Sequence, residues 1–281
     1  MKVDGASRPP TVAKAASHPR RVALKSVALP NEHGAWGFLL EPALLGLVLA
    51  PAWAGLLVVV SATAALLAQH PLSLALADRR RGREYPRTRL ARAFALGYGA
   101  AALLALAAAL TILGRLDVLL PVLLAVPLAL VQLAYDARNR GRELVSELAG
   151  ASAIGALAAV VAMAGGWSLP WALLLWLVLA ARTMPSIVYV RARLRLETGR
   201  PADRGAVLGS HVAALALVIA LAAFGFLPLL TVGAFVVLLV RAALGVSRWR
   251  RPTKATFIGF REMGFGLLVV AATAAGFLLG V

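Results

Sequence analysis

The stretch AGLLVVVSATAALLAQHPLSLAL (54–76), followed at once by ADRRRGREYPRTRLAR (77–92), decides how this chain is read. The first part carries no Asp, Glu, Lys or Arg. As a helix it is long enough to cross a bilayer's hydrocarbon core, which takes roughly 20 apolar residues. The second part crowds Arg79, Arg80, Arg81, Arg83, Arg87, Arg89 and Arg92 into one connection. An apolar span that ends abruptly in arginines is the signature of a helix leaving the membrane on its cytoplasmic side.

Working outward, the same pattern repeats. Further apolar spans are expected at 35–49, 91–113, 118–134, 143–164, 171–190, 206–227, 229–244 and 265–281. The first and the fourth along the chain are short or carry Pro, so they need tilt or a longer helix. No strand-period alternation runs far enough for a barrel. The expected fold is all-α: a polytopic bundle of about nine transmembrane helices over 29–281, preceded by a basic, flexible tail over 1–28 without the continuous apolar core of a cleaved signal.

Composition agrees. Of 281 residues, 61% are hydrophobic, with mean hydropathy +0.84, more apolar surface than one water-facing globule can hide. There is no cysteine, which excludes disulfides and thiolate chemistry. The net charge of +17 would suggest nucleic acid in a soluble protein, but its placement argues otherwise. Of the 29 Lys and Arg residues, 26 fall in the tail and in alternate connections. The other connections hold only Arg115, with Trp53, Trp167 and Trp171 at their edges as an interfacial belt. This pattern puts the N-terminus in the cytoplasm and, after an odd number of spans, the C-terminus outside. The Ala, Leu and Arg bias suggests a GC-rich bacterial genome, and the expected location is the bacterial inner membrane.

Ionisable groups inside spans are costly and mark sites or buried pairs. Asn31, Glu32 and His33 enter the membrane together, and Asn31 is also a natural helix cap. Glu41 lies more than two turns deeper, followed by Pro42, and needs a partner. Glu32, His33, Glu41 and Asp78 are the acid/base candidates. His70 and His211 read as core histidines, and no spacing suggests a metal site. Arg182 and Arg241, near helix ends, read as snorkelling side chains. Glu143 and Glu147 share a helix face, with Arg140 one turn below. Arg79 with Arg83, and Arg191 with Arg195, are i,i+4 pairs whose guanidinium forks suit phosphate or carboxylate oxygens.

The run PNEHGAWGFLLEPALLGLVLAP (30–51) closely resembles the opening of the YwiC-like membrane proteins, a bacterial family. It also resembles the first helix of the UbiA prenyltransferase superfamily in Gly37, Leu39, Leu40, Pro42 and Gly46. YDARNRGRELVSELAG (135–150) is similar to that superfamily's YPxxKRxTxxxQxxxG, with Tyr135, Arg140 and Gly150 matching. The resemblance implies nine helices and active loops after the second and sixth.

It also implies two aspartate-rich motifs that hold Mg²⁺ and a prenyl diphosphate. The first would fall on Leu74, Ala75, Asp78 and Gly82, where only Asp78 is acidic. The second would fall near Thr183, Met184, Arg191 and Arg195, where arginines replace carboxylates. Arginine cannot coordinate a hard cation, so magnesium-dependent transfer of the usual kind is not expected, and no cofactor is. The expected partner is a membrane lipid, isoprenoid or otherwise anionic, in a cytoplasm-facing cavity. Asn31, Arg79, Arg83, Tyr135, Arg140, Glu147, Arg191 and Arg195 are the expected ligand-binding residues. A small-solute transporter using Glu41, His70 and His211, and a non-catalytic scaffold, are the alternatives.

Overall fold

The computed structural model describes residues 24–28 and 33–281. The described residues are helical and contain no strand. After the short α1 (Leu24–Ala28) come α2 (His33–Leu49), α3 (Trp53–Arg80), α4 (Pro86–Leu113) and a 3-10 turn (Asp117–Leu119) running into α5 (Leu120–Ala137). Then follow α6 (Leu144–Ala164), α7 (Leu169–Glu197), α8 (Arg204–Ala223), α9 (Leu229–Val246) and α10 (Ala255–Leu279). Eight helices, α3 to α10, are long and apolar enough to cross a membrane. The ninth, α2, has 17 residues, about 25 Å of helix. By helix length and hydropathy the chain is a multi-pass membrane protein.

The nine expected spans map one to one onto α2 to α10, but several helices run further than their apolar stretches. α3 continues to Arg80, α4 begins at Pro86, α7 runs on to Glu197, and α10 begins at Ala255 rather than near 265. Arginine is a good helix former, so charge ends the membrane-compatible segment without ending the helix. The expected fourth span gains its length from the 3-10 turn, giving 21 continuous helical residues from Asp117 to Ala137. Within the expected tail, Val27 of α1 is buried with Ala75 and Ala91, against α3 and α4.

α6 is the hub: it packs against α2, α3, α5 and α7. Its sequence, LVSELAGASAIGALAAVVAMA, supplies small residues on every side, and small residues let apolar helices approach closely where no hydrophobic effect drives them together. A Cβ on Gly46 of α2 would meet Val161 Cβ at 2.7 Å and the Ala158 carbonyl oxygen at 3.1 Å. Gly155 faces the Trp176 ring, whose Nε1–H donates to the Ser152 carbonyl at 2.7 Å.

Cross-helix contacts order the two ends. Gly165 lies against Ala50, Arg115 Nη2 donates to the Met163 carbonyl at 3.0 Å, and Gly276 lies against Pro228. Trp167 meets Phe277 and Trp171 meets Phe226 edge to face. The ends of α2, α4, α6, α8 and α10 therefore gather together. The arginine-bearing connections 81–85, 138–143, 198–203 and 247–254 gather at the opposite, basic end.

Close approach at α6 gives a stability test. Gly46→Ala is expected to cost about 1–3 kcal/mol, as overpacking does. Gly97→Ala, where an added Cβ meets nothing within 4 Å, is expected to be neutral or to stabilise by about 0.5–1 kcal/mol. Thermal unfolding of the two purified variants in detergent, side by side, checks the contrast.

Candidate functional site

Glu41 sits in the middle of α2, 4% exposed, with Pro42 beside it. Arg182 lies midway along α7 and is 3% exposed. Their side chains pair at 3.2 Å, Nη2 to Oε1. The same Nη2 donates to the backbone carbonyl of Glu262, in α10, at 2.5 Å. Glu262 in turn pairs through Oε2 with Arg241 Nη2 of α9 at 3.1 Å. Arg241 also donates to Ser186 Oγ of α7 at 3.2 Å. Its guanidinium is held over the Tyr189 ring at 4.2 Å and the Phe265 ring at 5.1 Å, stacking that is strongest when desolvated.

Two carboxylates and two guanidiniums thus tie α2, α7, α9 and α10 together inside the bundle. Glycines make the room: a Cβ on Gly266 would run into the Glu41 carboxylate, and one on Gly245 into the Tyr189 hydroxyl. Hydrogen bonding is incomplete. Arg182 Nε and Arg241 Nε and Nη1 are buried without a hydrogen-bond partner among the described residues.

Arg241 reaches a cleft at the basic end, between α7, α9 and α10. Arg193, Arg241, Arg261 and Thr253 supply its polar wall, Ile258 and Phe265 its apolar one. Arg193 pairs with Glu197 at 2.6 Å and donates to the Arg251 carbonyl. Glu197 Oε2 accepts from the Thr253 backbone N–H at 3.0 Å, and Arg250 Nη2 donates to the Leu196 carbonyl at 3.2 Å. These bonds lace the end of α7 to the 247–254 connection. Arg261 is exposed on the first turns of α10, with no ion pair among the described residues.

Among the described side chains expected to bind or catalyse, Glu41 alone belongs to this cluster. Asn31 and Glu32, and the His33 side chain, lie outside the described residues. Asp78 is fully buried, but it clamps the α3–α4 turn: Arg87 Nη2 pairs with it at 3.1 Å, and Thr88 Oγ1 donates to it at 2.7 Å. Arg79 and Arg83 are exposed on that turn. Arg191 pairs with Glu147 at 2.8 Å and donates to the Arg142 carbonyl; Arg195 Nε donates to the Pro201 carbonyl. The two arginine pairs stand on α3 and α7, helices that both pack against α6.

Arg140 and Glu143 form a charge-assisted pair outside the spans, with Arg140 over the Tyr135 ring at 5.3 Å. The hydrogen bond from Arg140 holds the Glu143 carboxyl below its ordinary range. The expectation that Arg182 and Arg241 snorkel fails, because both are buried and paired. His211 is a core histidine, as expected, with Nδ1 2.8 Å from the Val207 carbonyl and its ring edge-on to Tyr189. Sequence reasoning missed Glu262 because it placed that residue in a connection. The available signal was Glu41's need for a cation.

Removing one member of such a buried pair leaves the other charge uncompensated, at about 3–5 kcal/mol. Glu41→Gln and Arg182→Met are each expected to lower stability by about that much, and the double variant by less than the sum of the two. Denaturant unfolding of the three variants in mixed micelles checks this double-mutant cycle.

No curated protein matches the chain, and no solved structure does, so the expected similarity to the UbiA superfamily gains no support from them. Residues 29–162 match the family model described as YwiC-like protein. Over that stretch, from α2 through most of α6, the chain is similar to the YwiC-like family; Arg182, Arg241, Glu262 and the cleft lie beyond it.

Proposed function

We propose that this protein binds an anionic amphiphile of the bilayer, with its head group in the cleft between α7, α9 and α10 and its tail along the bundle. The carrying observation is Arg241: 7% exposed, its Nε and Nη1 without hydrogen-bond partners, at a cleft that Arg193 and Arg261 also line. A buried guanidinium with unmet donors gains most from a phosphate or carboxylate oxygen. Ile258 and Phe265 offer apolar contact beside it. Phe257 and Phe260, both exposed on α10, and Trp249, exposed beneath Arg248, suit an interfacial position at the same end. The isoprenoid lipids implied by the UbiA resemblance are one source of such a ligand. The cleft's chemistry asks only for an anionic head and an apolar tail.

A transport reading draws on the Glu41–Arg182 and Glu262–Arg241 pairs, because ionisable groups inside a bundle also mark solute and proton paths. Uptake by cells that is lost in Glu41→Gln, with the protein still folded, is the outcome that reading requires.

Membrane orientation belongs to the same proposal: a basic end in the cytoplasm places the cleft at the inner leaflet. The chain has no cysteine, so single replacements report cleanly. Arg83→Cys and Arg195→Cys are expected to react with an impermeant maleimide only after the cells are opened. Labelling of either in intact cells would overturn the orientation.

The binding itself is tested by native mass spectrometry of the purified protein, counting retained lipids. Arg261→Gln, an exposed change, is expected to lower anionic-lipid retention about tenfold, the effect of losing one charge-assisted contact. Changing Arg79, Arg83, Arg191 and Arg195 together to Gln tests the arginine set expected from sequence. Loss only in that fourfold variant would move the site away from the cleft.

A further inference from the structure

We infer that residues 247–258 form a strap over the cleft, latched to the end of α7 by Glu197, and that the strap must lift before a head group enters. This deepens the lipid-binding reading above and rests on it. The cleft encloses about 10 Å³, room for a single water molecule. A phosphodiester or carboxylate head is several times larger, so one wall has to give way. The inner walls are fixed by packing. Tyr189 and Arg193 of α7 and Arg241 of α9 are buried, and Tyr189 shares an apolar cluster with Leu196 of α7, Val207 of α8 and Ala242 and Val246 of α9. The outer wall is different. Thr253, Ile258 and Arg261 form it, and Ile258 is the one buried residue between 247 and 261.

Polar bonds, more than packing, hold that wall down. Glu197, the last residue of α7, accepts the Thr253 backbone N–H through Oε2 at 3.0 Å and pairs through Oε1 with Arg193 Nη1 at 2.6 Å. Arg193 in turn donates from Nη2 to the Arg251 carbonyl. Glu197 thus supports the contacts at both Thr253 and Arg251, and Arg250 adds a bond to the Leu196 carbonyl at 3.2 Å. Hydrogen bonds near water are readily exchanged for bonds to water, so this end opens at lower cost than the packed bundle. The moving piece has two natural ends. On one side α9 stops at Val246. On the other, Glu262 is anchored by its pair with Arg241 and by the Arg182 bond to its carbonyl. Gly259 lies just ahead of that anchor, with nothing within 4 Å of the place a Cβ would take. A helical glycine in open space is a point where the backbone can bend.

Uptake and release of deuterated dioleoyl phosphatidylglycerol by the full chain in detergent, followed by native mass spectrometry, test the strap. Thr198→Cys combined with Lys254→Cys places one thiol at the end of α7 and one on the strap, both lining a neighbouring open cleft, in a chain with no other cysteine. Joining the two with a short bis-maleimide is expected to slow uptake at least about tenfold against the same variant capped with N-ethylmaleimide, because entry that needs a conformational change follows that change. Glu197→Ala is expected to speed both uptake and release about tenfold, as loss of the latch bonds does. Uptake as fast in the joined protein as in the capped one overturns the strap and leaves the lipid-binding reading standing. Slower release from Glu197→Ala means that Glu197 acts through its charge alone, and overturns it as the latch. Retention of phosphatidylglycerol by the unaltered protein no greater than that of dioleoyl phosphatidylcholine overturns the lipid-binding reading itself.

Discussion

The ion pair between Glu41 and Arg182 is the constraint around which the bundle is arranged. Each charge sits near the middle of its helix with almost no exposure. In hydrocarbon neither can stand alone without a penalty of several kcal/mol. α2 must therefore face α7 at one register, and α10 must bring the Glu262 carbonyl to the same guanidinium. Glycine at 266 lets α10 come that close. α6, with its small side chains, lets α2 and α7 reach across its flanks. A shift of one residue along any of these helices rotates a charge by about 100° away from its partner, the angle set by 3.6 residues per turn.

The spans could be read from the sequence because lipid demands long apolar stretches and little else there has that length. Their ends could not, because the residues that close an apolar stretch are arginines, and arginine extends a helix as readily as it leaves a membrane. That single ambiguity hid Glu262: with α10 expected to begin near 265, the carboxylate fell in a connection rather than on an inward face. Arg182 and Arg241 were visible as charges close to helix ends, but whether an arginine snorkels or turns inward depends on which helix stands opposite. No local pattern records that. Asp78 shows the opposite case. Its partners Arg87 and Thr88 lie across one short turn, so sequence proximity alone would have marked it as a clamp, had the resemblance to a metal-binding motif not drawn attention to its acidity.

The arginines divide into three physical groups. Those of the α3–α4 turn are mostly exposed and serve the basic end as a whole, with Arg87 and Arg92 tied locally to Asp78 and Glu84. Arg191, Arg193, Arg195 and Arg250 hold backbone carbonyls or neighbouring carboxylates and give the end of α7 a fixed shape. Arg182 and Arg241 are interior. High basic charge in a membrane protein thus has no single meaning. Exposure and pairing set how much of it remains available: Arg79, Arg83 and Arg261 are exposed with no ion pair among the described residues, while Arg87 and Arg92 are engaged.

Arg241 belongs to two structures at once. Its Nη2 closes the interior chain through Glu262, its Nε and Nη1 are buried without hydrogen-bond partners among the described residues, and the residue also lines the cleft. An anion bound there, as proposed, would compete with Glu262 for the same positive charge. The backbone of Glu262 is itself tied inward: its carbonyl accepts from Arg182, and Arg182 pairs with Glu41. The contacts thus run without a break from the cleft inward to α2, the helix at which the stretch similar to the YwiC-like family begins. A shared guanidinium joins the four helices through alternating charges, where apolar packing alone would set no such register.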